Sequence, residues 1–155
     1  MVNYHLMPIP IPHDPFQLQR FIDAQTSTHE QARAELAAGQ KRSHWMWFVF
    51  PQIHGLGSSP MAQRFAISGL LEASAYLAHP VLGPRLRGLT ALVNSIPDRS
   101  VEQIFPYPDN LKFHSSITLF AHAAQPGSAP EDAVFSAALS HCFSGRPDRA
   151  TLDRL

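Results

Sequence analysis

Charge is scarce in this chain. Charged residues fill 15% of its 155 positions, against the ~25% of an ordinary globular domain. Twelve basic residues balance twelve acidic ones, and no run of Lys or Arg exceeds two. That balance excludes the electrostatic footprint of a nucleic-acid-binding or membrane-surface protein. Cysteine is nearly absent too. With Cys142 alone, no intrachain disulfide and no cysteine-rich metal site can form, and a reducing compartment is expected. No apolar run approaches the ~20 residues that span a bilayer, and the N-terminal residues lack the basic-then-apolar order of a secretory signal. The expectation is a soluble, cytoplasmic protein. There is no phosphate-cradling P-loop, no dinucleotide fingerprint and no His-Glu-x-x-His pair among the nine histidines, so no cofactor and no metal are expected.

What the chain does have is a core. Hydrophobic residues make up 45% of it, and its length suits one domain around one sizeable core. The stretch Lys41 to Gly57 stands out. It holds both tryptophans, Trp45 and Trp47, within six consecutive large apolar residues, Trp45 to Phe50. Lys41, Arg42, Ser43 and His44 precede them, and Gln52 and His54 follow. A packed protein buries the middle and keeps both ends near the surface. That pattern builds either a pocket floor with a polar rim or an ordinary core segment.

Helix punctuation recurs along the rest. Pro8, Pro10 and Pro12 make residues 1–13 an extended, mobile arm. Asp14-Pro15 reads as a cap and first turn, with Leu18, Phe21, Ile22 and Gln25 on one stripe. Thr28 with Gln31 reads as a capping box before Ala32 to Ala38. Ser59-Pro60 opens a helix from Met61 to Ala78, with Phe65, Leu70, Ala73 and Leu77 in the core, and His79-Pro80 closes it. The ring of His79 is expected at the helix-end carbonyls. Leu82, Leu86, Leu89 and Val93 mark a helix from Val81 to Asn94. Ser100 with Gln103 predicts a short capped turn, and Glu131 to Phe143 an amphipathic helix ended by Gly145. Leu111 to Ala123, capped by Asp109, reads as a helix, with a strand as the alternative because Ile117 and Thr118 are β-branched. Pro147-Asp148 starts a last turn. The fold expected for residues 14–155 is all-α: a single compact domain of six to eight helices with short connections.

Two constellations carry chemistry. Gly55, Gly57, Ser58 and Ser59 precede a helix start and offer backbone donors to an anion, with Lys41 and His44 supplying charge if the chain folds back; a plain capped helix is the bland reading. Asp109, Lys112, Ser115 and Ser116 form a polar row interrupting an apolar helix, and such a row needs partners, of which a ligand is one. The bland reading there is a solvated face. Glu72 and Tyr76 share a face and suit either proton transfer or a structural hydrogen bond.

Several phrases together resemble a known family: Arg20-Phe-Ile-Asp-Ala-Gln25, Ser43-His-Trp-Met-Trp-Phe-Val-Phe-Pro-Gln52, Gly55-Leu-Gly57, Glu72-Ala-Ser-Ala-Tyr-Leu-Ala-His-Pro80, Leu82-Gly-Pro-Arg-Leu86, and Asp109 with Lys112, Ser115, Ser116 and Thr118-Leu-Phe120. Phe143-Ser-Gly-Arg-Pro-Asp148 and Thr151 fit as well. They resemble the bacterial domain-of-unknown-function family 1810, over roughly Asp14 to Leu155. The resemblance implies a mainly helical protein and no settled activity. Members often carry the label calpastatin, but a disordered inhibitor does not suit an aromatic, core-forming chain.

The residues support one function first: a pocket between helices for a small anionic or nucleotide-like molecule, by analogy with small helical domains that process ADP-ribose. Lys41, His44 and Lys112 would neutralise charge, Gln25, Gln52, Ser115 and Ser116 would give directed hydrogen bonds, and Trp45 or Trp47 a stacking wall. In an enzyme, Asp109 or Glu72 would be the general base for hydrolysis. The alternatives are a non-catalytic interaction module, whose polar residues would point to separate exposed regions, and a homo-oligomer covering its apolar excess.

Overall fold

The computed structural model describes residues 13–124 and 129–155; the arm expected at residues 1–13 falls outside the described residues except for His13. Ten α-helices follow one another, with no β-strand among the described residues. They are α1 Gln19–Gln25, α2 His29–Ala37, α3 Met46–Val49, α4 Pro60–Arg64, α5 Leu70–Ala78, α6 Leu82–Asn94, α7 Val101–Ile104, α8 Asp109–Ala123, α9 Ala133–Phe143 and α10 Arg149–Leu152, with one 3-10 turn, Pro130–Asp132, before α9. The excess over six to eight comes from single-turn helices such as α3, α7 and α10.

Helix α8 is the axis. Phe113, Ser115, Ser116, Ile117, Thr118, Leu119 and Phe120 are all buried, because α5, α7, α9 and α10 pack around it. Helix α6 packs on α2, α5 and α9 through the row Leu82, Leu86, Leu89 and Val93 expected from its spacing. Rings fill the space between. One chain of ring contacts runs Phe48–Phe65–Phe21–Tyr76–Phe120–Phe135. Another joins Trp45 to Phe50, then Phe105 and Phe113, the last two stacked at 4.5 Å. Such pairs contribute ~0.5–1.5 kcal/mol each beyond their buried area.

The ends of these helices follow the sequence in part. Ser100 and Gln103 form the reciprocal capping box, Ser59 caps α4, and Asp148 caps α10. Thr28 does not cap α2; its hydroxyl donates back to Ala24 O at 2.7 Å. The His79 ring caps forward: Nδ1 accepts Val81 N at 3.1 Å, at the start of α6. The expected helix from Met61 to Ala78 is two. Between them Ile67 leaves helical geometry and pairs with Ile53, donating to Gln52 O at 2.8 Å. Arg20 holds that break open by donating to Arg64 O, Ala66 O and Glu72 Oε2. Leu70 opens α5 and is exposed rather than in the core.

Candidate functional site

Glu35 on α2 fixes the segment that enters the first tryptophan. Its carboxylate accepts Arg42 N at 2.7 Å, Ser43 N at 3.0 Å and Trp45 Nε1 at 2.9 Å, together with the Ser43 hydroxyl. Burial pushes the Glu35 carboxyl up, but the four hydrogen bonds to its charged form outweigh that and hold its pKa at about 2. Lys41 N donates to Ile104 O at 2.8 Å, tying the segment to α7. The chain then buries Trp45, Met46, Phe48, Val49 and Phe50, leaving Trp47 half-buried and His44 exposed.

Across from this segment lies the loop that starts α8. Phe105 is fully buried, and Pro106, Tyr107 and Pro108 follow it at the surface. Pro106 and Pro108 offer no backbone donor to the space in front of the loop. That space is a cleft of about 340 Å³, lined by Lys41, Arg42, His44, Met46, Trp47, the 106–108 loop, Asp109 and Lys112. Lys41 Nζ sits 2.7 Å from Asp109 Oδ2, and its side chain is only 7% exposed. Lys112 Nζ lies 3.8 Å from the other oxygen of Asp109. Lys41 stands over the Trp45 ring at 5.1 Å and Lys112 over the Trp47 ring at 5.2 Å. One carboxylate thus serves two ammonium groups, with Arg42 also in the lining. The cleft keeps a positive surplus next to an indole face.

Lys41, His44, Trp47, Asp109 and Lys112 therefore come together, although as many as 71 positions separate Lys41 from Lys112 in sequence. Trp45 lies beneath, fully buried, so it is a support and not a stacking wall. The other named residues are elsewhere. Gln25 is buried; its amide nitrogen donates to Phe48 O at 2.8 Å and Tyr76 Oη at 3.2 Å. Gln52 lies beside the Ile53–Ile67 pairing and does not line the cleft. Ser115 turns to α10, donating to Asp148 Oδ2 at 3.0 Å. Ser116 is fully buried, and its hydroxyl has no hydrogen-bond partner among the described residues. Glu72 is no free base: one oxygen takes Arg20 at 2.9 Å, and the other takes the amide and hydroxyl of Ser68. Asp109, held by Lys41, is a positioning group for that lysine.

The glycine-serine anion site does not gather its charges. Lys41 and His44 face the cleft at α8 instead, and the face of Gly55 is covered by the Arg154 guanidinium, which a Cβ there would meet at 2.2 Å. Two contributors escaped the sequence reading, Glu35 and Tyr107, while Arg42, read there as part of the polar rim, does line the cleft. Glu35 sits among ordinary helix formers and carries no signal. The exposed Tyr107 between two prolines was a visible one.

Comparison with known proteins agrees with this fold. The family model described as "Protein of unknown function (DUF1810)" matches residues 15–155. None of the curated proteins matches. The solved structure of the conserved hypothetical protein Rv1873 from Mycobacterium tuberculosis is 51% identical, with a TM-score of 0.86 over 92% of this chain and 98% of that one. The chain, matched over nearly its whole length and mainly helical in its described residues, belongs to the DUF1810 family.

Proposed function

We propose that the chain binds a small anionic molecule in the cleft between the Lys41–Trp47 segment and the start of α8. The observation that supports this most is the shared carboxylate: Asp109 lies 2.7 Å from Lys41 and 3.8 Å from Lys112. Only one of two ammonium groups is neutralised, in a cleft of about 340 Å³, a size that suits a small molecule. Lys112 is the cation turned to the ligand. Lys41 is buried and spends its charge on Asp109. The Trp47 face, with the exposed Tyr107 in the same lining, suits a planar group on the ligand and so a nucleotide-like or ADP-ribose-like compound. Binding, rather than hydrolysis, is the reading the geometry favours, since Asp109 is paired with Lys41 and Glu72 with Arg20. The convergence of Lys41, His44, Asp109 and Lys112 on one cleft also favours a ligand site over an interaction module with scattered polar residues.

The test is a thermal-shift and calorimetric titration with nucleotides, ADP-ribose and sugar phosphates. A charge-assisted hydrogen bond contributes ~1.5–3 kcal/mol, so Lys112→Gln is expected to weaken binding ~10- to 100-fold. No response to any of these compounds at millimolar concentration, with native protein intact, rejects the site.

A further inference from the structure

A second cleft, of about 370 Å³, shares no lining residue with the first. Its walls are His29 and Arg33 from α2 and Pro84, Arg85, Gly88, Leu89 and Leu92 from α6. Leu89 is buried and Leu92 half-buried, so the floor is apolar. The rim is cationic. Among the described residues the Arg85 side chain makes one hydrogen bond, from Nη1 to Gln25 Oε1 at 3.3 Å, and has no carboxylate partner. A guanidinium carries five donors in a planar fork, so most of this one is unused. Arg33 pairs loosely with Glu30 at 3.4 Å, both exposed. Two guanidiniums thus face one carboxylate. His29 lies 3.8 Å from the same Glu30; burial, and next the charge of Arg85, lower its pKa.

The glycines of α6 sharpen the reading. Gly83 is required by packing, because a Cβ there would lie 2.1 Å from Leu77 O. Gly88 is not: a Cβ would meet nothing within 4 Å, and the position is exposed in the middle of a 13-residue helix. Glycine there weakens the helix relative to alanine, and no packing contact demands it. What its missing side chain does is leave the space above Leu89 and Leu92 open.

We infer that this cleft is a second ligand site, for an oxyanion (a carboxylate or a phosphate monoester) carried on an apolar body. Arg85 takes the oxyanion through its free donors, with Arg33 and His29 beside it. The body lies over Pro84, Gly88, Leu89 and Leu92. Tying Arg85 to the buried Gln25 keeps the fork in place and lowers the entropy lost on binding.

The experiment is an NMR titration of backbone amides in the full chain with octanoate and with phenyl phosphate, against acetate and 1-octanol as half-ligands. Saturable shifts at His29, Gly88 and Leu89 are expected with octanoate, phenyl phosphate or both, and the pair tells carboxylate from phosphate. Acetate and 1-octanol should bind at least ~10-fold more weakly. Gly88→Leu fills the cleft in a helix-compatible way and should abolish the shifts with the fold retained. Gly88→Ala should raise Tm by a few degrees. Arg85→Lys keeps the charge but loses the fork and should weaken binding several-fold. The inference is overturned if neither anion shifts these amides, if 1-octanol binds as well as octanoate, or if Gly88→Leu binds like the parent.

Discussion

Replacing Asp109 by Asn would leave Lys41 charged, buried and unpaired. The pair is close, 2.7 Å, and little exposed, with 7% of the Lys41 side chain and 18% of that of Asp109 reaching solvent. Removing one partner of a buried pair costs ~3–5 kcal/mol, because the other charge keeps its desolvation penalty. Asp109 is not fully buried, and the carboxamide still accepts a hydrogen bond from Lys41, so the cost falls below that range, at ~2–3 kcal/mol. For a chain of this length each kcal/mol moves Tm by ~2–4 °C. Asp109→Asn should therefore lower Tm by ~4–12 °C and shift the urea midpoint with an unchanged slope. Lys41→Met should cost less, since Lys112 remains 3.8 Å from the freed carboxylate. The double variant should fall short of the sum by at least ~1 kcal/mol. A loss under ~0.5 kcal/mol for Asp109→Asn would mean an ordinary surface pair and would refute the reasoning.

Lys112→Gln separates function from stability: its side chain is 26% exposed and 3.8 Å from Asp109, so unfolding should change by less than ~0.5 kcal/mol while anion binding falls. Glu35 gives a pH dependence. Its folded pKa of about 2 lies below the ordinary 4.5, so its contribution is complete above pH ~4.5 and fades as pH falls toward ~2; Glu35→Gln should flatten denaturation midpoints measured across that window. Tyr76→Phe strands one donor of Gln25, which now reaches Tyr76 Oη at 3.2 Å inside the core, and should cost ~1–2 kcal/mol by urea unfolding. Burial, and then Glu102, push the Cys142 thiol up to about 11, so its alkylation by iodoacetamide at pH 7 should be far slower than that of a free thiol and should rise on denaturation.

Local signals carried much of the fold. The spacing of Leu82, Leu86, Leu89 and Val93 and the Ser100–Gln103 box needed no distant partner to be read, and both stand in the structure. Ile67 was illegible for the opposite reason. Its departure from the helix depends on Ile53 and on Arg20, more than forty positions away, and Arg20 itself resembles any surface arginine. The site was legible as a set of residue types and not as a place. Lys112, Ser115 and Ser116 share a helical stripe, yet three residues on is ~4.5 Å along the axis. At that distance Ser115 meets α10 while Lys112 meets the indole. Because α8 is enclosed on most sides, each step along it finds a different neighbour, and the stripe alone does not say which.

The two tryptophans allow the central claim to be measured in one spectrum. Both indole N–H signals can be followed in an NMR titration of the native chain with ADP-ribose and with inorganic phosphate. The Trp47 indole, in the cleft lining beside Lys112, should move saturably. The Trp45 indole, buried and bonded to Glu35 at 2.9 Å, should stay nearly still. Silence from Trp47 at millimolar concentrations of both compounds would contradict the anion site.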